Sequence, residues 1–336
     1  MLNNKSILIT GGSGVFGTHF IETVLREFPY IRRIVVYSRG EYRQMLMRER
    51  FPEADYPQLR YFIGDVRDAE RLRMACEGID VIVHAAAINR VETAEYNPDE
   101  CIRTNITGSQ NVIKAALECG VQDVVALSSD KACAPLTLYG ATKLTADKLF
   151  VAANNISGRK DVRFSVARLS NILGSKGSAV EIFRRLAAGG AGSIPVTDKR
   201  MTRFNLRLEE ASELVLFALR HHIGGEIFIP KIPSYRITDL AEAIAPGTPT
   251  VETGIRPCEK LHEEMISAND APYTIDLGYC YAILPSISFN GKRSKEDYIK
   301  HYGAKPVGDG FRYGSDCSPL KESVESLREK ISAVYD

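Results

Sequence analysis

The segment Thr10-Gly11-Gly12-Ser13-Gly14-Val15-Phe16-Gly17 constrains this chain of 336 residues more than any other. It succeeds an apolar run, Ser6–Thr10 (SILIT), and opens a helical pattern over Val15–Glu27. Glycines at 11, 14 and 17 permit a tight turn, a close approach of backbone to a pyrophosphate, and close packing of helix on strand. The N-terminus of the helix then turns its unpaired N–H groups toward the anion. In that strand–turn–helix setting the pattern predicts a dinucleotide site lined by Gly11, Ser13, Gly14, Val15, Phe16 and Gly17.

The same strand–helix alternation recurs along the chain. Short β-type runs lie at residues 34–37 (IVVY), 60–63 (RYFI), 81–84 (VIVH), 124–128 (VVALS) and 164–167 (FSVA). Helical patterns lie between them at residues 41–50, 68–76, 99–119 and 139–154. Several of the runs are apolar on both faces, as a buried parallel sheet requires. The expected fold class is α/β, a doubly wound parallel sheet of the Rossmann type. After Arg168 the rhythm loosens into loop-like stretches at residues 174–177 and 188–193. A helix is expected at 209–220, a strand rejoining the sheet at 226–229, a helix at 238–245 and a terminal helix at 319–336. The expected organisation is a nucleotide-binding core over 1–170, to which 205–230 returns. A smaller discontinuous substrate lobe covers 171–204 and 231–290, and a tail covers 291–336.

Charge narrows the partners. Lys and Arg total 43 against 42 Asp and Glu, a net charge of +1. That balance gives no electrostatic footprint for nucleic acid or for an anionic membrane surface, so neither is an expected partner. The longest apolar stretch, residues 79–88, contains Asp80 and His84 and is far too short to span a bilayer. The N-terminus runs into glycines instead of an apolar leader, and a soluble cytoplasmic protein is expected. The seven cysteines are odd in number and form no C-x-x-C pair, so reduced thiols are expected. No metal is expected. His221-His222 closes a helix, a favourable place for a positive charge.

The end of the second strand bears on the cofactor. NAD sites usually place a carboxylate there for the ribose 2′-hydroxyl. This chain has Tyr37-Ser38-Arg39, a hydrogen-bond donor and a guanidinium suited to a 2′-phosphate, so the expected cofactor is NADP. Glu41 is placed to cap the next helix or touch a ribose hydroxyl, and Asp65 to meet the adenine. Val66, Ala86, Leu127, Ser128 and Ile172 complete the expected lining.

Catalytic chemistry is expected at the end of the fifth strand. Ser128-Ser129-Asp130-Lys131 is succeeded by Tyr139-Gly140-Ala141-Thr142-Lys143. Tyr139 and Lys143, four apart, share a helix face. A lysine ammonium beside a phenol favours the phenolate, which can take a hydroxyl proton while hydride leaves the same carbon.

These features resemble the extended short-chain dehydrogenase/reductases. TGGSGVFG, the HAAA run at residues 84–87, TNITGSQNVI and YGATK carry the resemblance. More narrowly, the chain is similar to the configuration-inverting UDP-N-acetylglucosamine 4,6-dehydratases that open pseudaminic acid synthesis. VYSR, AEYNPDECIRTNI, SSDKA, LYGATKLTADKLFVAANN, PVTDKRMTRF, GGEIFIPKIPS and GIRPCEKLHEEMI extend it over nearly the whole chain. The resemblance implies a lyase that uses NADP catalytically and self-associates. Tyr139 would deprotonate the sugar 4-hydroxyl, an uncharged Lys131 would remove the C5 proton, and Asp130 would protonate the departing C6 hydroxyl. It further implies a UDP-sugar site with Arg203 and Arg256 on the diphosphate, Glu259 on the ribose, Thr197 near the uridine, and Asn171 and Asn89 at the sugar.

Several residues depart from the pattern. Asn89-Arg90 stands for Lys-His, Ser129 for Thr, Ser170 for Gly, Asn205 for an aromatic and Cys258 for Gly. Cys133-Ala134 replaces a pair often ending in Asn. Several of these are expected to line the hexose and diphosphate sites, which leaves sugar identity and C5 outcome open. Two alternatives remain: a sugar-nucleotide C4 epimerase or dehydratase of another nucleotide sugar, and an NADP-sensing scaffold on the same fold.

Overall fold

The computed structural model describes residues 1–158, 160–175, 177–287 and 293–335. Six strands run parallel: β1 (Ser6–Thr10), β2 (Arg33–Ser38), β3 (Leu59–Ile63), β4 (Val81–His84), β5 (Asp123–Ser129) and β6 (Arg163–Leu169). Their spatial order is 6-5-4-1-2-3, with the reversal beside β1 that a doubly wound sheet places at its binding crevice. All five residues of β1 are buried, as the two-sided apolar pattern requires. Register aligns Thr10 with His84 and His84 with Ala126, so the ends of β1, β4 and β5 stand side by side.

The sheet continues past β6. Ile227–Pro230 joins β6 in parallel, as expected for a strand rejoining the core. Cys280–Ile283, Thr274–Asp276 and Lys305–Pro306 then extend it antiparallel, to ten strands among the described residues. These three come from the stretches expected to form the lobe and the tail.

The long helix expected at 99–119 is instead three pieces: Pro98–Ile102, a π turn at Arg103–Thr107, and Gly108–Cys119. Asn105 in the π turn explains the break. Its Oδ1 accepts from Ile88 N at 2.8 Å, and its Nδ2 donates to Ile88 O and Thr142 Oγ1, each at 3.0 Å. A widened turn directs that amide onto the loop after β4, and such bulges cluster at functional sites.

A second cluster builds the smaller lobe. Leu173, Phe183, Ile194, Met201, Tyr235, Leu240, Leu327 and Ile331 are buried together, with helices Ala179–Ala188, Ile237–Ile244 and Val324–Tyr335 contributing. The last of these is the expected terminal helix; its final residue, Asp336, lies outside the described residues, as does Lys176 in the loop 174–177. All seven cysteines are free thiols. Among the described residues no helix is long and apolar enough to cross a membrane.

Candidate active site

The glycine loop is shaped by contacts that a side chain would forbid. Gly11 adopts φ +67°, and a Cβ there would lie 2.9 Å from Ala86 N, so the loop rests on the backbone after β4. A Cβ at Gly17 would stand 2.6 Å from Gly12 Cα, the close helix–strand approach that the glycine spacing predicts. Gly14 caps the helix Val15–Glu27 with extended backbone and no side chain of its own over the N-terminus. Val15 is exposed there, whereas Phe16 turns inward and stacks on Phe20 at 5.5 Å. Beneath the loop, Thr10 Oγ1 meets His84 Nδ1 at 2.7 Å. Burial, with the charge of Lys143, pushes His84 down to about 3, so its ring is neutral.

These features fit a dinucleotide: an open helix N-terminus, a side-chain-free turn, and Ser128 Oγ, which is buried without a hydrogen-bond partner among the described residues. Val66 packs against Gly108, where a Cβ would stand 2.7 Å from Val66 Cγ2. Leu127 O accepts from Lys143 Nζ at 2.5 Å. Ile172 bridges to Leu206, at the start of the smaller lobe. Glu41 is an exposed residue in the first turn of helix Glu41–Arg50.

The catalytic candidates converge at the end of β5. Asp130 and Lys131 form a 3-10 turn capped by Ser129, whose side chain accepts from Lys131 N. Asp130 is fully buried. Its Oδ2 accepts from Ser170 Oγ at 2.6 Å, and its Oδ1 from Ser129 Oγ at 2.9 Å and Lys131 Nζ at 3.1 Å. Burial pushes this carboxyl up, but the Lys131 charge and the two hydroxyl donors outweigh it and hold the group below the usual carboxylate range. Lys131 is the mirror case. Burial lowers it, while Asp130 and then Glu263 outweigh that and hold it above the ordinary lysine value. The resting pair is therefore a carboxylate and an ammonium, and Lys131 has to shed a proton before it can act as the uncharged base that the sequence leads one to expect.

Tyr139 sits in the first turn of helix Leu138–Ile156, started by Thr137 Oγ1 accepting from Gly140 N at 3.0 Å. Burial pushes its phenol up to about 12, against the lowering influence of Lys131 and of a hydrogen bond with Ser129. In this structure Lys131 is the lysine that lowers the phenol, while Lys143, itself lowered by burial, donates to Leu127 O.

The substrate candidates gather on the smaller lobe's side. Arg203, on strand Thr202–Phe204, reaches Glu259 Oε1 at 3.4 Å and donates to Leu261 O and Lys260 O. Arg256 is exposed, and its N donates to Glu259 Oε2 at 3.3 Å. Thr197 Oγ1 contacts Met201 Sδ at 3.2 Å, just before the Arg203 strand. Asn171 Oδ1 accepts from Lys131 Nζ at 3.2 Å, so it belongs to the catalytic cluster as well. Asn89 is exposed one residue past Ile88, which Asn105 holds.

Of the departures, Ser170 supplies a donor to Asp130 that a glycine lacks. Cys133 is buried and accepts through its carbonyl from Lys260 Nζ at 2.6 Å. Cys258 takes φ +60°, a conformation glycine adopts without strain. Asn205 does not line the sugar side; its Nδ2 donates to Glu322 Oε1 at 3.1 Å in a buried network. Glu263 joins the cluster without any sequence signal. Its Oε1 stands 3.7 Å from Lys131 Nζ and 3.9 Å from Arg203 Nε.

This fold and site define an extended short-chain dehydrogenase/reductase of the sugar-nucleotide type. Comparison places it further. Residues 7–285 match the family described as polysaccharide biosynthesis protein, to which the chain belongs. It is 51% identical over 334 residues to the UDP-N-acetylglucosamine 4,6-dehydratase (inverting) of Campylobacter jejuni, covering 99% of this chain and 98% of the relative. It therefore belongs to the inverting UDP-N-acetylglucosamine 4,6-dehydratase family. A UDP-glucose 4-epimerase of Rickettsia akari is 34% identical over 84% of each chain. Among solved structures, Pen from Bacillus thuringiensis superposes with a TM-score of 0.86 at 34% identity, covering 99% of both chains.

Against the NADP expectation stand solved structures of the same fold that carry NAD. The dTDP-glucose 4,6-dehydratase of Streptomyces venezuelae has a TM-score of 0.69 at 24% identity, covering 89% of this chain and 98% of its own, and was solved with NAD. That of Bacillus anthracis was also solved with NAD, as was MoeE5. Of the two residues expected to form a 2′-phosphate site, Ser38 is engaged by neighbours and Arg39 is more than half exposed. Ser38 Oγ is bonded to Ser13 Oγ at 2.8 Å and Gln44 Nε2 at 2.9 Å. The Arg39 guanidinium lies 3.8 Å from Asp65, which follows β3. Asp65 is in turn clamped by Arg67.

Proposed function

We propose that this chain dehydrates UDP-N-acetylglucosamine across C5–C6 with inversion at C5, giving a UDP-4-keto-6-deoxy-hexose, and that it does so with NAD. The observation that carries the reading is the Asp130–Lys131 pair, held 3.1 Å apart at the end of β5 beside Tyr139. When bound, NAD would supply the acceptor for the C4 hydride and the source of the hydride that C6 receives. Gly11, Ser13, Gly14 and Gly17 would hold its pyrophosphate, and Asp65 and Ser38 its adenosine side.

The remaining steps belong to the side chains. Tyr139 takes the proton of the 4-hydroxyl, its phenolate stabilised by the Lys131 charge and the Ser129 hydroxyl. The 4-ketone acidifies the C5 hydrogen. Transfer of one proton from Lys131 Nζ to Asp130 Oδ1 converts the resting ion pair into an amine and a carboxylic acid, the two forms elimination needs. The amine takes the C5 proton, the acid protonates the C6 hydroxyl, and water leaves. The pair is then back in its resting form. Inversion requires C5 to regain its proton on the opposite ring face.

Arg203 and Arg256 would pair with the diphosphate and Glu259 with the ribose, a charge-assisted grip suited to a UDP-sugar. Thr197 would lie near the uridine, and Asn171 and Asn89 at the hexose. The division into a nucleotide-binding core and a substrate lobe rests on this placement. Self-association is part of the proposal, through helices Gly108–Cys119 and Leu138–Ile156; light scattering at micromolar concentration should find more than one subunit. The deciding experiment for the reaction is incubation with NAD and UDP-N-acetylglucosamine, with the product read by NMR. A C6 methyl signal with inverted C5 is the expected result. A C4-epimerised sugar, or an unchanged one, overturns the reading.

A further inference from the structure

We propose that Glu263 is a positioning residue whose carboxylate, set between Arg203 and Lys131, governs when the Lys131 amine can act as base. This deepens the dehydratase reading and rests on it for the identity of the base.

Three observations carry it. First, one oxygen, Oε1, is shared between the two cations that the reaction uses for different ends: Lys131 Nζ at 3.7 Å and Arg203 Nε at 3.9 Å. Second, the side chain is 7% exposed, and its other oxygen, Oε2, is buried with no hydrogen-bond partner among the described residues. A carboxylate kept only for stability would be fully paired, because an unsatisfied buried charge is costly. Third, the backbone pins it. Glu263 N donates to Ser315 Oγ at 2.9 Å, and Glu263 O accepts from Ser315 N at 2.7 Å. The point from which the carboxylate reaches both cations is therefore fixed.

The groups facing Lys131 can be named from each neighbouring element. Asp130 comes from its own turn, Tyr139 from helix Leu138–Ile156 and Glu263 from the segment before strand Glu264–Ile266, and Arg203 stands behind Glu263. Both carboxylates favour the ammonium. Asp130 loses that influence when it takes the proton, so Glu263 is the charge left to oppose deprotonation and to hold the amine near the hexose. Diphosphate seated on Arg203 competes for the cation on Glu263's far side. Occupancy of the diphosphate site is thus felt at the base through a single carboxylate.

The test reads Lys131 directly and then the reaction. In holoenzyme carrying ε-13C lysine, the Lys131 resonance is assigned by its loss in Lys131→Arg, then titrated in wild type and in Glu263→Gln. Removal of a charge within 4–6 Å should lower the Lys131 titration midpoint by about one pH unit or more. The acid limb of the C5–H exchange profile in D₂O should move by the same amount in the same direction, with KM for the UDP-sugar changed as well. A Glu263→Gln midpoint equal to wild type overturns the proposal. Should Glu263→Gln not bind cofactor, Glu263→Asp decides: its charge on a shorter arm should lower the midpoint partway, and an unchanged midpoint overturns the proposal. Wild-type enzyme that leaves UDP-N-acetylglucosamine untouched overturns the functional reading alone, since the resonance titration does not depend on turnover.

Discussion

Asp130 Oδ1 and Lys131 Nζ stand 3.1 Å apart, and the same carboxylate accepts from Ser170 and Ser129. Each charge holds the other in its ionised form, so the proton that elimination needs on Asp130 has the adjacent ammonium as its nearest source.

Lys131→Ala should still oxidise C4 but lose C5 exchange. Base loss commonly costs about a hundredfold to ten-thousandfold. Asp130→Asn should differ: removal of the carboxylate charge eases loss of the Lys131 proton to solvent, so C5 exchange stays possible while departure of the C6 hydroxyl is impaired. In D₂O the two are separated by NMR: deuterium at C5 without a C6 methyl signal marks the Asp130 variant. Wild-type exchange in Lys131→Ala would remove that residue from the role.

Tyr139→Phe should bind the UDP-sugar nearly as well as wild type while turnover falls by about two orders of magnitude or more. Stopped-flow absorbance of reduced cofactor under single-turnover conditions checks it. Near-normal reduction would mean that another group takes the 4-hydroxyl proton.

NAD should bind cofactor-free protein more tightly than NADP. Ser38, expected to meet the added phosphate of NADP, already has its hydroxyl bonded to Ser13 and Gln44. Arg39→Ala should change NAD affinity little, since the Arg39 side chain is more than half exposed and such pairs contribute weakly. Calorimetric titration with both cofactors measures this; tighter NADP binding, abolished in Arg39→Ala, would refute it.

His84 sets a pH dependence of stability. Its folded pKa is about 3 against an ordinary 6.5. A depressed value means that the unfolded chain takes up the proton first. The stabilisation is full above about pH 6.5 and is lost as pH falls toward 3, at about 1.4 kcal/mol per unit. Urea unfolding between pH 7 and 5 should show a shallower loss for His84→Gln than for wild type. Equal slopes would place the proton uptake elsewhere.

The first half of the molecule is written locally. Ser6–Thr10 and Val81–His84 are buried on both faces, and Gly11 and Gly17 sit where a Cβ has no room, so their spacing carries the information. The antiparallel strands Thr274–Asp276 and Cys280–Ile283 are three and four residues long and carry no periodicity to read. The break at Arg103–Thr107 is hidden in sequence because its cause, Asn105 reaching Ile88, is a tertiary contact within a stretch of good helical pattern. Arg203 and Glu259 stand out through resemblance, and the structure joins them at 3.4 Å. Glu263 lies in the GIRPCEKLHEEMI stretch that carries the resemblance, but nothing near it in sequence points to Lys131.

The ten-strand sheet ends in a strand of two residues, Lys305–Pro306, both exposed. Proline has no N–H to offer a newcomer, and a lysine buried at an edge-to-edge junction would have to shed its hydration. A wide sheet with an open rim is a template for runaway polymerisation. At this rim the two residues that form it blunt the template, so a further chain finds no ladder to extend from Lys305–Pro306.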